Sequence, residues 1–460
     1  MIAIVFKMVI KFLVLMSQAN KIKSFYIESL GCAKNTVDSH SMEKVLKSSG
    51  LQPSLNPENS DVIIVNTCGF IQPAKMESIR ILQEYSEKKR KGQFLIAAGC
   101  MSEREKTHLK EIVSGLDAAI STRRWGEILK VIRHLDRDSS TPYFYFPETG
   151  SILPGPSETP RYAIQGKSAY LKIADGCDRG CTYCAIPLIK GPMVSRPIQD
   201  IIRDAQQLEK MGMQEIILIA QDSTVYGRDI GYKDGLPLLL SSLVKNVKDI
   251  PWIRIMYTFP GSITNRLIEI MEASAQVLPY LDIPLQHAHP DILKRMHRPS
   301  NMGKVKQTIR KMRSAMPNLA LRTTFIVGFP GETQQEYQEL INFVEEIEFD
   351  HVGIFPYYHE EGTFAFQLED DVPGEVKNER IQNLARVQEE ISLKKNQAFI
   401  DQDMQVLIEG NGDGISIGRS YRDAPEIDGM VLVQGTIETG VFVNSRVTGA
   451  LTHDLIAIKK

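Results

Sequence analysis

The chain carries six cysteines, and they fall into two sets of three with none left over. Cys177, Cys181 and Cys184 share one short segment, Gly176-Cys177-Asp178-Arg179-Gly180-Cys181-Thr182-Tyr183-Cys184. Cys32, Cys68 and Cys100 lie far upstream and far from one another. Thiolates are soft ligands, and three of them on one loop suit an iron–sulfur cluster. A four-iron cubane held by only three cysteines keeps one iron open. Zinc is the competing reading, but structural zinc sites usually add a second ligand pair, and no fourth cysteine lies near this segment. Six cysteines in 460 residues, crowded in this way, suit a disulfide scaffold poorly. A reducing cytoplasm with metal-bound thiolates is expected.

The scattered three need a scaffold that gathers them. Between residues 21 and 135 the chain has strand-like runs at 25–27, 62–65 and 94–98, each followed by a polar stretch of helical character such as 74–91. That alternation is the pattern of a parallel α/β sheet. Each run leads into a cysteine: Leu30-Gly31-Cys32, Asn66-Thr67-Cys68 and Ala98-Gly99-Cys100. In a parallel sheet all strand C-termini share one edge, where ligand sites form. Cysteines tens of residues apart therefore meet there. A single buried cysteine at a strand end is common; three at equivalent places in three repeats point to one ligand set.

Residues 136–166 are dense in Ser, Thr, Pro and Gly and read as a linker. A second domain, residues 167–397, has strand candidates at 169–174, 215–220, 253–257, 280–283, 319–327 and 351–355. Helical stretches such as 198–211 and 333–347 separate most of them. Six β/α units predict a barrel or partial barrel whose active face lies at the strand C-terminal ends. Gln221 and Asp222 end the second of these strands, and Gln286 and Arg322 fall at or near the ends of later ones. Contacts to a cofactor or substrate fit such places; structural hydrogen bonding fits nearly as well. The run Gly328-Phe329-Pro330-Gly331 reads as a tight turn that shapes the backbone near the cofactor. His287 and His289 read as loop or packing residues. A charged helix over 375–397 leads to a last domain, residues 398–460, whose short β runs predict a small all-β barrel. The expected fold class is α/β with this all-β appendage.

Bulk composition is that of an ordinary globular protein, 43% hydrophobic and 24% charged. A net charge of −2 excludes a global basic field for nucleic acid. Residues 1–16 are apolar but broken by Lys7 and Lys11. That stretch is too short for a membrane span of about 20 residues, and no small-residue cleavage site follows it. No membrane partner is expected. Residues 1–20 read as an extension, or as a start misplaced ahead of Met16.

The Cys177 segment closely resembles the cluster loop of the radical S-adenosylmethionine enzymes. The resemblance implies that the open iron binds the amino and carboxylate groups of S-adenosylmethionine. Reductive cleavage then gives methionine and a 5′-deoxyadenosyl radical that abstracts hydrogen from an unactivated carbon. Tyr183 falls at that family's aromatic position near the cofactor; a solvent-facing loop tyrosine is the plain alternative. From residue 21 onward the chain further resembles the methylthiotransferases. The matching runs are Glu28-Ser29-Leu30-Gly31-Cys32-Ala33-Lys34-Asn35, Val65-Asn66-Thr67-Cys68-Gly69-Phe70-Ile71 and Ala98-Gly99-Cys100-Met101. In that family the three matching cysteines hold a second [4Fe–4S] cluster, which carries the sulfur to be inserted. The resemblance thus implies two [4Fe–4S] clusters facing one cavity, S-adenosyl-L-methionine, a reducing electron donor and a sulfur source.

Two branches compete. One β-methylthiolates an aspartate of the twelfth small-subunit ribosomal protein, near the decoding centre; the alternative modifies a transfer-RNA adenosine. The runs 280–287, 322–333 and 417–429 resemble the first branch. The second usually shows Pro-x-Gln-Ser-Gly where His287 and Ala288 stand. The last domain resembles the TRAM module, which binds RNA when basic. Here residues 401–460 hold five basic and nine acidic side chains, a net of −4. RNA affinity rests largely on Lys and Arg, so RNA binding by this domain is not expected. A basic ribosomal-protein partner suits the charge, although a merely solvated acidic face is the bland reading.

Overall fold

The computed structural model describes residues 22–137, 142–148, 150–156 and 158–460. The extension at 1–20 and parts of the expected linker lie outside them. The chain divides into two compact units, residues 1–160 and 161–460.

The first unit is a six-stranded sheet in the order β2-β1-β3-β4-β5-β6, parallel throughout. Its strands are β1 (Ser24–Ser29), β2 (Gln52–Pro53), β3 (Val62–Thr67), β4 (Phe94–Ala98), β5 (Ala118–Ile120) and β6 (Tyr143–Tyr145). Every residue of β3 is buried. A parallel strand with both faces covered reads as a continuous apolar run for that reason. Ile63, Val65, Leu95 and Ala97 pack on Leu82, Met101 and Leu109 from the flanking helices. β6 falls inside the stretch expected to be linker. A three-residue strand is too short to show a period among the neighbouring Pro, Ser and Thr.

The second unit begins with an antiparallel pair, β7 (Tyr162–Gln165) and β8 (Ser168–Lys172). β7 also lies in the expected linker. β8 continues in parallel through β11 (Glu215–Ile219), β12 (Trp252–Ile255), β13 (Val277–Asp282), β14 (Ala320–Val327) and β15 (His351–Pro356). Two-residue β9 (Ala174–Asp175) and β10 (Val194–Ser195) pair separately. The six parallel strands form the expected partial barrel, open between β7 and β15. Helices 198–210, 235–246, 265–273, 302–315 and 334–347 cover it. Helix 374–397 leads to a closed five-stranded barrel in the order β16-β17-β18-β20-β19. Its strands are β16 (Asp403–Gly412), β17 (Ile415–Arg419), β18 (Val431–Gln434), β19 (Phe442–Ala450) and β20 (Leu455–Lys459). Among the described residues no helix is long and apolar enough to cross a membrane.

Candidate cluster sites

β8 and β9 run straight into the first thiolate loop. Gly176 makes the turn at φ +75°, and a Cβ there would stand 2.0 Å from the Pro192 carbonyl oxygen. Only glycine fits both the conformation and the space. The loop then folds back on residues 191–193: the Cys177 amide donates to Gly191 O at 3.1 Å, and Asp178 accepts from the Met193 amide at 3.1 Å. The Cys184 amide donates to Cys181 O at 3.2 Å, and Thr182 is held by Met296 O and Arg295 O. Cys181 is buried, and Cys177 and Cys184 are partly so. Burial pushes the Cys177 thiol up to about 11 and the Cys184 thiol up to about 12, against the pull of the Arg179 and Ile186 amides. Thiols so disfavoured as bare thiolates gain most from a cationic metal centre.

Two arginines flank this loop. Arg298 donates to Cys181 Sγ at 3.7 Å, and its guanidinium stands 4.2 Å from the centre of the Phe259 ring. The Arg179 guanidinium stands 3.8 Å from the same ring and donates to Asp222 at 2.7 Å and to Ser262 Oγ at 2.6 Å. Arg179 lies inside the thiolate segment, but Arg298 and Phe259 carry no local sequence pattern that marks them. Only the fold brings them to one place.

The scattered cysteines also converge. Cys32 caps the N-terminus of helix 33–48 after β1, Cys68 follows β3, and Cys100 sits in the first turn of helix 99–105 after β4. These three strands are neighbours in the sheet. A Cβ on Gly31 would lie 2.7 Å from Cys68 Cβ and 2.8 Å from its Sγ. A Cβ on Gly69 would lie 2.6 Å from Met101 Cα, and one on Gly99 2.3 Å from Thr67 O. The second and third loops are thus packed backbone to backbone, and the first packs through Gly31 on the Cys68 side chain. Asn35 donates to the carbonyls of Leu30, Asn66 and Thr67, and Asn66 donates to Asn35 O and Ser39 Oγ. These two asparagines hold the first two loops together. Burial pushes the Cys68 thiol up, and the nearby sulfur of Cys32 adds to the rise while the Phe70 and Gly69 amides oppose it.

Each triad brings three soft thiolates, a donor set that suits an iron–sulfur cluster.

The remaining sequence candidates have distinct placements. Gln221 lies two residues beyond the end of β11, and its Oε1 is buried without a hydrogen-bond partner. Gln286 sits at φ +78°, its backbone bonded to Thr324 O and Ile326 N in a single bridge beside β14. A non-glycine residue held there stores strain of about 1–3 kcal/mol. Tyr183 packs beside Phe329, Tyr357 and Ala365, and burial pushes its hydroxyl pKa up. His287 is fully buried and accepts from the His289 amide at 2.9 Å, while His289 caps helix 290–295. Glu332 accepts from the amides of Gly328 and Phe329 and pairs with Arg380 at 2.7 Å, so it builds the turn at 328–331. The residue right after that Gly-Phe-Pro-Gly run was the signal for it.

Arg322 is engaged by two carboxylates and lies in the first half of β14. It donates to Asp282 at 3.1 Å and to Asp428 at 3.2 Å. Asp428 belongs to residues 419–428, which link the small barrel to the inner half of the large one. Arg419 meets Glu215, Asp428 also accepts from Tyr280 at 2.7 Å, Arg422 meets Asp350 at 3.3 Å, and Gln165 donates to Glu426 at 2.7 Å. Glu215, Tyr280 and Arg322 lie toward the starts or middles of their strands. This segment therefore plugs the end of the barrel opposite the thiolate loop.

Comparison with known proteins supports this layout. The Radical SAM superfamily matches residues 171–344, Uncharacterized protein family UPF0004 matches 24–121, and the TRAM domain matches 400–458. "Ribosomal protein uS12 methylthiotransferase RimO" of Roseiflexus sp. (strain RS-1) is 44% identical over 453 residues, covering 94% of this chain and 96% of that protein. The chain belongs to the RimO family. The RimO proteins of Thermoanaerobacter sp. (strain X514) and Synechocystis sp. (strain ATCC 27184 / PCC 6803 / Kazusa) are each 41% identical, over 94% and 93% of this chain and 99% and 96% of theirs. Among solved structures, the radical S-adenosylmethionine methyltransferase TsrM from Kitasatospora setae superposes with a TM-score of 0.55 at 12% identity, covering 72% of each chain. That likeness speaks for the fold. In this RimO-family chain, the thiolate loops lie in the first two matched domains and the plug arises from the third.

Proposed function

We propose that this chain is a radical S-adenosylmethionine methylthiotransferase that places a methylthio group on the β-carbon of an aspartate in ribosomal protein uS12. The observation that carries the reading is the pair of thiolate triads, each at the C-terminal edge of its own parallel sheet, in a chain of this family. Cys177, Cys181 and Cys184 are the ligands for one [4Fe–4S] cluster, with the fourth iron left to S-adenosylmethionine. Cys32, Cys68 and Cys100 are the ligands for a second. When bound, these groups supply reductive cleavage of a sulfonium bond and a carrier for sulfur.

The chain's own residues supply position and shielding. The turn at Gly176 aims the loop, and Thr182 fixes it to the Arg295–Met296 segment. Arg298 places a positive charge against Cys181, where it favours a more negative, reduced centre. Gln221 Oε1, buried and unpartnered, is the acceptor for a donor on the cofactor or substrate. The electron donor and sulfur source are separate cytoplasmic partners.

The substrate assignment is supported by the small barrel's charge. Of its five basic side chains, Arg419 is bound to Glu215 and Glu409, Arg422 to Asp350, and Arg446 and Lys460 to Asp403. Little cationic charge is left for phosphate. The test is mass spectrometry of ribosomal proteins and transfer RNA from a strain lacking the gene. The expected result is loss of one methylthio group from uS12 with transfer RNA unchanged. Loss from transfer RNA alone overturns the assignment.

A further inference from the structure

Between β15 and helix 374–397 the chain crosses beside the thiolate loop as a strap. Residues 351–376 contain no Lys or Arg; Glu369, Asp371 and Glu375 are exposed, while Glu360 is buried. The strap is held firmly. Ala365 is fully buried, and its amide donates at 2.8 Å to the carbonyl of Thr182, between Cys181 and Cys184. Asp371 accepts from the Gly331 amide at 2.6 Å, and Asp370 binds Lys377 at 2.7 Å. A Cβ on Gly362 would lie 3.1 Å from Leu188 Cδ1, so the strap also touches helix 186–190, which follows the loop.

On this fixed strap, large apolar side chains stand in water. Phe364 is 70% exposed, Phe366 40% and Leu368 39%, and neighbouring Leu188 is 49% exposed. Single exposed apolar residues need no explanation, but a group of them rimmed by charge marks an interaction site. Its attachment to Thr182 puts this one at the radical-generating loop.

We propose that the strap is the docking surface for a basic segment of the substrate polypeptide, whose apolar side chains cover Phe364 and Leu368 while its Lys and Arg face the exposed carboxylates of Glu369, Asp371 and Glu375. Charge complementarity selects the occupant. An RNA strand would meet like charge. The inference rests on the protein-substrate reading above and adds where that protein is gripped.

The test uses the reconstituted full-length enzyme with purified uS12 as the probe. F364S and, separately, the double variant L368S/E369K alter only exposed side chains, and their iron content checks folding. In each, KM for uS12 should rise about tenfold with kcat within about twofold, and fluorescence-anisotropy binding of uS12 should weaken in step. Wild-type KM should rise with salt. If the wild type modifies uS12 but neither KM nor binding moves in either variant, the docking surface is wrong while the function stands. If the wild type modifies transfer RNA and not uS12, the function fails and the docking surface with it. If F364S turns a dimer into a monomer by light scattering, the patch belongs to a second copy and the proposal is overturned.

Discussion

The Arg419 guanidinium donates to the Glu215 carboxylate at 2.6 Å, joining the last barrel of the chain to the first residue of β11 across 204 positions of sequence. Arg254 holds the other oxygen of the same carboxylate at 2.7 Å, and the Glu215 and Arg254 side chains are wholly buried. The base of the large barrel is thus closed by charge contributed from another domain. A buried pair of this kind contributes little beyond an apolar core but is costly to break from one side.

Glu215→Gln should destabilise the second unit by about 3–5 kcal/mol, because it leaves the buried Arg254 without its carboxylate and Arg419 with Glu409 alone. Burial alone would raise the Glu215 pKa, but Arg419 and Arg254 overcome it and hold the carboxyl down at about 2, below the ordinary 4.5. Its contribution is therefore fully present above about pH 4.5 and is lost as pH falls toward 2. Urea denaturation at neutral pH and at pH 3 should show the gap between wild type and variant narrowing at the lower pH. A gap that is constant or widens contradicts the assignment.

Cys181→Ala should abolish 5′-deoxyadenosine formation. Cys68→Ala should retain it but yield no methylthiolated product, with iron content falling by about half in each. Product quantification beside iron and sulfide analysis checks both. Methylthiolation by a Cys68→Ala enzyme whose other cluster is intact would refute the division of labour.

Gly99→Ala should act on the first unit alone. The residue has φ +90°, and a Cβ would stand 2.3 Å from Thr67 O, so the β3 and β4 loops must separate. The left-handed conformation by itself costs about 1 kcal/mol. Iron bound at the Cys32, Cys68 and Cys100 site should drop while 5′-deoxyadenosine formation persists.

Arg298→Gln should lower the midpoint potential of the radical-generating cluster, since a positive charge beside Cys181 is removed. Reductive cleavage should slow by about 10- to 100-fold, the usual range for groups supporting a metal ligand. Arg298→Lys should recover part of the potential but less of the rate, having lost the planar fork against Phe259 and Pro284 O. Potentiometric titration followed by electron paramagnetic resonance separates the two effects.

Transfer RNA should bind weakly and with little salt dependence. With four of the small barrel's five basic side chains engaged by carboxylates, few counterions are released. Filter binding should give a slope of log affinity against log salt shallower than about −2; a slope near −6 would mean about six or more phosphate contacts.

Much of this was legible in the residues. The six parallel strands of the partial barrel and the three cysteine-terminated strands of the first unit show as apolar runs with helical stretches between them. The short strands β5, β6 and β7 do not, because three or four residues cannot establish a period. Arg322 shows the other limit. Its partner Asp428 stands 106 positions away, and no local pattern reports that.

By itself the sequence determined the ligand chemistry: six soft sulfurs, three of them fixed on one loop by spacing alone, and strands whose ends must share an edge. Only the tertiary structure decided the rest. The order β1-β3-β4 brings the loops of Cys32, Cys68 and Cys100 to one sheet edge, and the folding of residues 419–428 into the large barrel converts a run of charges into a buried plug. Strand order and long-range ion pairs are set by which packing satisfies every buried group at once. That is a property of the whole chain, not of any stretch within it.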